Sequence, residues 1–182
     1  MSEVDGGEVD ESTVSETVAA PVEASAPAAV SGSGSEQIAS LMGGDRSLTI
    51  LFGSQTGNAA GLAEKTAKLA TNYGLEASVV DMDGYDKSNL ANIKRLLIIT
   101  STWGEGEMPD NAEGLWQSVQ SGAPALASMH YSVCAIGDTG YDEFCKAGLD
   151  WDGKLSSLGA TSVQQIQLLS LIHISEPTRP NE

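Results

Sequence analysis

The chain has 182 residues, with 25 acidic and 9 basic side chains and a formal net charge of −16. This charge disfavours nucleic acids and anionic membrane surfaces, because phosphates attract basic proteins. No apolar stretch approaches the ~20 residues of a membrane helix. The N-terminus does not resemble a secretory signal, and two cysteines are too few for a disulfide framework. We therefore predict a cytoplasmic protein that binds neither nucleic acid nor membrane.

The acidic charge is distributed unevenly along the chain. Residues 1–45 contain nine acids and no Lys or Arg, which leaves 16 acids against nine bases, a net of −7, in residues 46–182. The first part is rich in Ser, Ala, Gly and Pro, and cannot bury enough apolar area to offset its ordering entropy. We predict a disordered acidic leader and linker over 1–45, with a docking arm that folds on a partner as the alternative, and a folded domain over 46–167.

Strand and helix patterns alternate through the folded domain. Short apolar runs predict strands over 48–52, 75–80, 93–100 and 131–136, with a possible fifth over 161–166. Apolar spacing of three and four predicts a helix that follows the turn residues 54–58 and stops at Gly74, a second over 112–119 and a third over 142–158. The spacing of the first helix is that of Leu62, Ala63, Thr66, Leu69 and Ala70. The expected inward positions of the third helix are Phe144, Leu149, Leu155 and Leu158. This alternation predicts an α/β fold, a doubly wound parallel sheet with helices on both faces.

The last segment departs from this rhythm. Residues 168–182 stand where a closing loop and helix are expected, and residues 170–180 resemble translated sequencing-adapter sequence. We predict that 168–182 are a non-native tail and that the last strand and helix are truncated. A genuine divergent C-terminus is the alternative.

Three unusual loops follow the predicted strands, where open α/β sheets bind their ligands. The first, over 53–59, offers hydroxyls and small residues before a helix N-terminus, whose free N–H groups and dipole favour an anion. It lacks the Gly-Lys-Ser/Thr of a Walker motif, so a phosphate monoester is favoured over a triphosphate. An ordinary helix-capping turn is the alternative.

The second and third loops, over 101–111 and 137–145, each carry an aromatic residue suited to stacking on a planar ring. Trp103 lies beside Gly104 and Gly106, which allow close backbone approach, although a tryptophan folded onto the sheet is the alternative. Tyr141 is the second candidate for stacking, while Phe144 suits the core or the ligand wall equally. Neither cysteine is predicted to be reactive, and Cys134 is expected to be a buried apolar residue.

A phosphate cradle with two aromatic residues at one sheet edge describes a flavin mononucleotide site. Residues 48–166 resemble the flavodoxin-like FMN domain of the diflavin reductases. The resemblance is closest to the flavoprotein subunit of NADPH-dependent sulfite reductase, and more distant to cytochrome P450 reductase. Three strings in order carry it: SQTGNA at 54–59, STWGEGEMPDNA at 101–112 and GDTGYDEFC at 137–145.

The resemblance implies a five-stranded sheet in the order 2-1-3-4-5 and FMN as cofactor. The first string would bind the FMN phosphate, the second would border the isoalloxazine, and the third would enclose its other side, with Tyr141 stacking. It implies no catalytic base, nucleophile or metal ligand. The cofactor-binding positions carried over are Ser54, Gln55, Thr56, Gly57, Asn58, Ala59, Ser101, Thr102, Trp103, Gly104, Glu105, Gly106, Ile136, Gly137, Asp138, Thr139, Gly140, Tyr141, Asp142, Glu143, Phe144 and Cys145. Gly140 departs from the family's usual Ser or Thr, which would loosen the third loop.

The implied function is a one-electron shuttle from an NADPH/FAD module to a metalloprotein, such as a sulfite reductase haemoprotein or another haem protein. The chain is too short to hold that module, which leaves a fragment of a longer reductase or a stand-alone flavodoxin-like carrier. We expect the fragment, because the predicted fold stops before its last elements and the sequence then resembles foreign sequence. Acids in the second and third loops are expected to repel negative charge on reduced flavin and to steer a basic acceptor. Those acids are Glu105, Glu107, Asp138 and Asp142.

Two alternatives belong to other classes of protein. One is a flavodoxin-like binding module without flavin. The other is a phosphoacceptor receiver domain, which shares the doubly wound topology but needs acids at the ends of the first and third strands. Phe52-Gly53 and Thr100-Ser101 stand at those ends, which disfavours the receiver.

Overall fold

A parallel β-sheet organises residues 44–171, the part of the chain that the structure, a computed structural model, describes. Its strands are β1 (Ser47–Gly53), β2 (Glu76–Asp81), β3 (Arg95–Ser101), β4 (His130–Gly137), β5 (Thr161–Ser162) and β6 (Gln167–Ser170). The strand order is β2-β1-β3-β4-β5, with β6 also paired to β4. The predicted doubly wound order is confirmed.

Helices cover both faces of this sheet. They are α1 (Asn58–Asn72), a 3₁₀ helix (Lys87–Asn92), α2 (Asp110–Gln120) and α3 (Lys146–Ser157). Buried side chains of α2 and α3 join one apolar core, and those of α1 join another on the opposite face. Successive strand residues point to opposite faces, so Ile98 belongs to the first core and Ile99 to the second. This explains why residues 96–99 of β3 are a continuous apolar run.

The third helix begins later than predicted and buries a different face. Residues 142–145 form a turn, because Cys145 adopts a left-handed conformation with φ 59° that a continuous helix cannot contain. Leu149, predicted to point inward, is exposed, and Trp151 is fully buried in its place. The Trp151 ring packs edge-on against Trp116 with centroids 5.0 Å apart. In α1, Leu69, one of the residues that form the predicted helical spacing, is exposed.

The predicted fifth strand over 161–166 is interrupted. β5 pairs with His130–Tyr131, the chain then leaves the sheet, and β6 rejoins β4 opposite Cys134–Gly137. In the interruption, the Ser162 hydroxyl donates to the Gln164 carbonyl at 2.9 Å, which turns the chain away from the ladder. β6 includes the first residues of the predicted non-native tail. That the tail is non-native stays a prediction, and its residues beyond Leu171 lie outside the described part.

Most of the predicted leader, residues 1–43, also lies outside the described part. Its last residue, Asp45, sits beside the sheet, with Oδ2 2.8 Å from Lys94 Nζ and Oδ1 3.7 Å from Arg95 Nη1. Hydrogen bonds from Lys94 and Ser47 hold the pKa of the Asp45 carboxyl well below its usual value. Between residues 44 and 171, none of the helices has the length and apolar character that crossing a bilayer would require.

Candidate functional site

Three loops meet at one edge of the sheet, because β1, β3 and β4 run parallel and end there. In the structure these loops are shorter than the sequence predicts. From here on, the first loop is residues 54–58, the second is 102–109 and the third is 138–145. The Thr102 N–H donates to the Ile136 carbonyl at 2.9 Å, and the Thr102 hydroxyl accepts from the Ala147 N–H at 3.2 Å. These two contacts bind the second loop to the strand and helix on either side of the third loop.

The first loop presents backbone donors at the N-terminus of α1. Gly57, the N-cap, has φ 85°, a left-handed conformation that favours glycine. The Ala59 N–H is capped by the Ser54 hydroxyl at 3.2 Å. Among residues 44–171, no hydrogen bond is donated by the N–H groups of Gln55, Thr56, Gly57, Asn58 and Ala60. Unpaired donors at a positive helix end form an anion-binding arrangement.

The second loop is a tight hairpin that holds Trp103 outward. Trp103 and Glu107 exchange two backbone hydrogen bonds, of 3.0 and 2.8 Å. The Trp103 side chain is 48% exposed and therefore does not fold into the core. Gly106, with φ 113°, lies so close to the third loop that a Cβ there would stand 3.0 Å from Glu143 Cβ.

The third loop turns around Asp138. Asp138 Oδ1 accepts the Gly140 N–H at 2.8 Å, and the Asp138 carbonyl accepts the Tyr141 N–H at 3.2 Å. This turn leaves Tyr141 57% exposed, whereas Cys145 at the end of the loop is buried. Asp138 thus closes the turn although Gly140 stands where the family usually has Ser or Thr.

A cavity of about 260 Å³ opens between the second and third loops. Both exposed aromatic residues line it, as a site for a planar ring requires. Its other walls come almost wholly from predicted site residues. The full lining is Thr102, Trp103, Gly104, Asp138, Tyr141, Glu143, Phe144, Cys145 and Leu171. A more polar cavity of about 440 Å³ adjoins the third loop, lined by Glu105, Gly140, Tyr141, Asp142 and Glu143.

Some predicted site residues lie beneath the loops rather than in the cavities. Ser101, Ile136 and Gly137 are buried, and Ile136 packs in the α1-side core while its carbonyl supports Thr102. Leu171 lines the smaller cavity and was missed, because its segment was set aside as foreign. Asn111, the last residue of the predicted second loop, was not carried over as a site residue, although its Oδ1 accepts the Ser54 N–H at 2.8 Å.

The rim of the site is acidic. Its exposed carboxylates are Glu105, Glu107, Asp138, Asp142 and Glu143. The neighbouring Lys146 is engaged by Asp150, with Nζ and Oδ2 2.6 Å apart, and this hydrogen bond raises the pKa of the lysine. Within residues 44–171, no group of three His, Cys, Asp or Glu side chains is placed to hold a metal ion.

Burial raises the pKa of the Cys145 thiol to about 11, which leaves it unreactive at neutral pH. Because the folded state retains this proton longer than the unfolded chain, the free energy of unfolding is expected to fall as pH rises from about 9 to about 11. The stabilisation that comes from the raised pKa of Cys145 is fully present below pH ~9, the ordinary pKa of a thiol. Denaturant unfolding at several pH values, with Cys145→Ser for comparison, tests this. An equally steep fall in the variant would show that Cys145 contributes nothing.

The sequence pattern of the flavodoxin family matches residues 50–181. The chain belongs to the flavodoxin family. Its solved relatives include a flavodoxin from Streptococcus pneumoniae, with 31% identity, a TM-score of 0.63, and coverage of 69% of this chain and 85% of that one. A flavodoxin variant from Pseudomonas aeruginosa gives 30% identity, a TM-score of 0.64, and coverage of 70% and 85%.

This flavodoxin-family chain is also similar to sulfite reductase [NADPH] flavoprotein alpha-components. The protein from Thiocapsa roseopersicina is 38% identical over 133 residues, 72% of this chain and 26% of the relative. That from Vibrio parahaemolyticus is 47% identical over 116 residues, 63% of this chain and 19% of the relative. The chain therefore spans about a quarter or less of these curated relatives. The resemblance to this flavoprotein subunit is confirmed.

Membership of the flavodoxin family indicates FMN as the cofactor, and the residues present fit it. The free N–H groups of the first loop suit a phosphate monoester. The cavity between Trp103 and Tyr141 suits a planar ring with one apolar wall, formed by Phe144 and Leu171. Both features lie at the same edge of the sheet of this flavodoxin domain.

Proposed function

We propose that this flavodoxin domain binds FMN with the residues of its three loops and serves as the electron-carrying module of a longer reductase. The observation that supports this most is the cavity that Trp103 and Tyr141 share, at the same sheet edge as the free N–H groups of the first loop. Bound FMN supplies one-electron redox chemistry, which the amino-acid side chains of the site do not.

Each loop has its own task in this proposal. The first-loop N–H groups bind the phosphate and anchor one end of the cofactor. Trp103 and Tyr141 orient the ring by stacking and exclude water from its faces. The rim carboxylates make negative charge on the ring unfavourable, because like charges repel across a short distance. Cys145, a buried thiol, contributes packing only.

Similarity to the sulfite reductase flavoprotein subunits supports a proposal for the electron donor and acceptor. We propose that an NADPH/FAD module of the full-length protein reduces the domain in the cytoplasm. The acceptor would be a metalloprotein with a basic face, such as a sulfite reductase haemoprotein or another haem protein. The reading frame beyond codon 167 distinguishes this arrangement from a stand-alone carrier.

Electron transfer to a basic haem protein tests the function and the role of the rim. We expect FMN-loaded, chemically reduced protein to reduce cytochrome c, used as a basic probe. The bimolecular rate should fall by more than about tenfold between about 10 mM and about 1 M salt, over which the Debye length shrinks from about 30 to about 3 Å. Stopped-flow absorbance of the haem measures this rate.

Rim and control variants separate the two parts of this proposal. The double variant Glu105→Gln and Glu143→Gln should weaken the salt dependence. Glu64→Gln, an exposed acid on α1, should leave it unchanged. A rate that does not depend on salt would contradict steering by the rim. Absence of any electron transfer from the FMN-loaded protein would contradict the carrier function.

A further inference from the structure

We propose that Asn111 and Asp110, at the start of α2, are positioning residues that hold the first loop in its phosphate-binding conformation. This inference rests on the proposed FMN function and extends it to two residues that are not among the cofactor-binding positions carried over from the resemblance. The role that we propose for the two side chains is to fix the shape of the phosphate site, and neither of them donates a hydrogen bond to the phosphate.

Asn111 bridges the ends of two strands. Its Oδ1 accepts the Ser54 N–H at 2.8 Å, just after β1, and its Nδ2 donates to Asp81 Oδ1 at 2.8 Å, at the end of β2. The amide orientation follows from its partners, because a backbone N–H can only donate and a carboxylate can only accept. Asp81 is itself held by the Asp83 N–H at 2.9 Å.

The neighbouring residue makes a second attachment to the same loop. Gln55 Nε2 donates to Asp110 Oδ2 at 2.8 Å, and Gln55 Oε1 accepts the Asp110 N–H at 3.0 Å. Ser54 and Gln55 are thus held by consecutive residues of one helix end. Ser54 in turn caps the Ala59 N–H, so the attachment extends into the first turn of α1.

A glycine brings α2 close enough for these bonds. A Cβ on Gly53 would stand 2.9 Å from Ala112 Cβ, which real Cβ atoms essentially never show. The absent side chain therefore lets the start of α2 lie directly against the end of β1. At this distance, the Asn111 amide spans the gap to the Ser54 backbone without a bridging water.

Losing the Asn111 amide should affect the phosphate and leave the ring site alone. The Ser54 N–H would lose its acceptor, and the exposed Asp81 carboxylate would lose one of its two donors and keep the Asp83 N–H. The loop would then sample other shapes, and the Asp81 carboxylate, without the Asn111 amide beside it, would repel a phosphate dianion more strongly. Trp103 and Tyr141 belong to other loops and keep their own hydrogen bonds.

Comparing FMN with riboflavin, which lacks the phosphate, tests this on the full chain. For Asn111→Ala we expect FMN to bind about tenfold more weakly, which corresponds to about 1.4 kcal/mol of binding free energy. The affinity for riboflavin should be unchanged. Fluorescence quenching measures both dissociation constants. Asn92→Ala, an exposed asparagine before β3 at the opposite end of the sheet, is the matched control and should change neither.

A swap of the two side chains covers the case in which Asn111→Ala fails to fold. In D81N/N111D, the new carboxylate accepts from Ser54 and from the new amide at position 81, so the wild-type ratio of FMN to riboflavin affinity should return. The inference would be overturned if Asn111→Ala weakened the binding of FMN and of riboflavin equally. It would also be overturned if D81N/N111D bound FMN no more tightly than Asn111→Asp alone. Wild-type protein that binds riboflavin and FMN equally would instead refute the phosphate site of the proposed function.

Discussion

Replacing Trp103 with alanine is expected to weaken FMN binding by roughly ten- to a hundredfold. The Trp103 side chain is held outward by the two hydrogen bonds between Trp103 and Glu107 and lines the ring cavity with Tyr141. Stacking of an aromatic side chain on a flat heterocycle contributes about 1–3 kcal/mol, which corresponds to this range. The loss should appear equally with riboflavin, because the ring alone is affected.

Two further variants sharpen that measurement. Trp103→Tyr retains an aromatic face and should recover most of the affinity. Tyr73→Ala removes another exposed ring, at the end of α1 away from the site, and should have no effect. Unchanged flavin affinity in Trp103→Ala would show that the ring does not bind in this cavity.

Gly148→Ala is expected to destabilise the fold by about 3 kcal/mol. Gly148 is buried where α3 lies on β4, and a Cβ there would stand 2.2 Å from the Cβ of Ala135 and 3.1 Å from its Cα. Because Ala135 is fully buried in a central strand, the helix must move, and overpacking of this kind costs about 1–3 kcal/mol or more. Urea unfolding of the apoprotein measures the change.

The same helix offers a matched control. Gly153 has open space around its Cα, so Gly153→Ala adds a methyl group without overlap. Alanine is favoured over glycine within a helix by up to about 1 kcal/mol, so this variant should be slightly more stable than wild type. If the two substitutions had the same effect on stability, close packing of α3 on β4 would be contradicted.

The strands and the position of the loops were accessible from the sequence, because each depends on a local pattern. β3 and β4 are apolar runs that need covering on both faces, and the alternation with helices restricts the topology to a doubly wound sheet. Ser54, Trp103 and Tyr141 then follow strand ends, where ligands bind. The structure places all three at one sheet edge, as expected.

The predictions that the structure corrects concern features that a local sequence pattern does not determine. In α3, Leu149 and Trp151 both suit a buried face, and the start of the helix after Cys145 decides that Trp151 is buried. β5 and β6 are short and partly polar, so their pairing depends on β4 rather than on their own residues. The Asn111–Ser54 hydrogen bond joins residues 57 positions apart, which only the folded structure brings together.

Titration of the purified full chain with FMN tests the central claim most directly. We predict saturable binding of one FMN per chain at micromolar concentrations, with quenching of flavin fluorescence by Trp103 and Tyr141 and weaker binding of riboflavin. The absence of quenching and of a bound flavin absorbance, in protein whose circular dichroism shows a folded α/β domain, would contradict it.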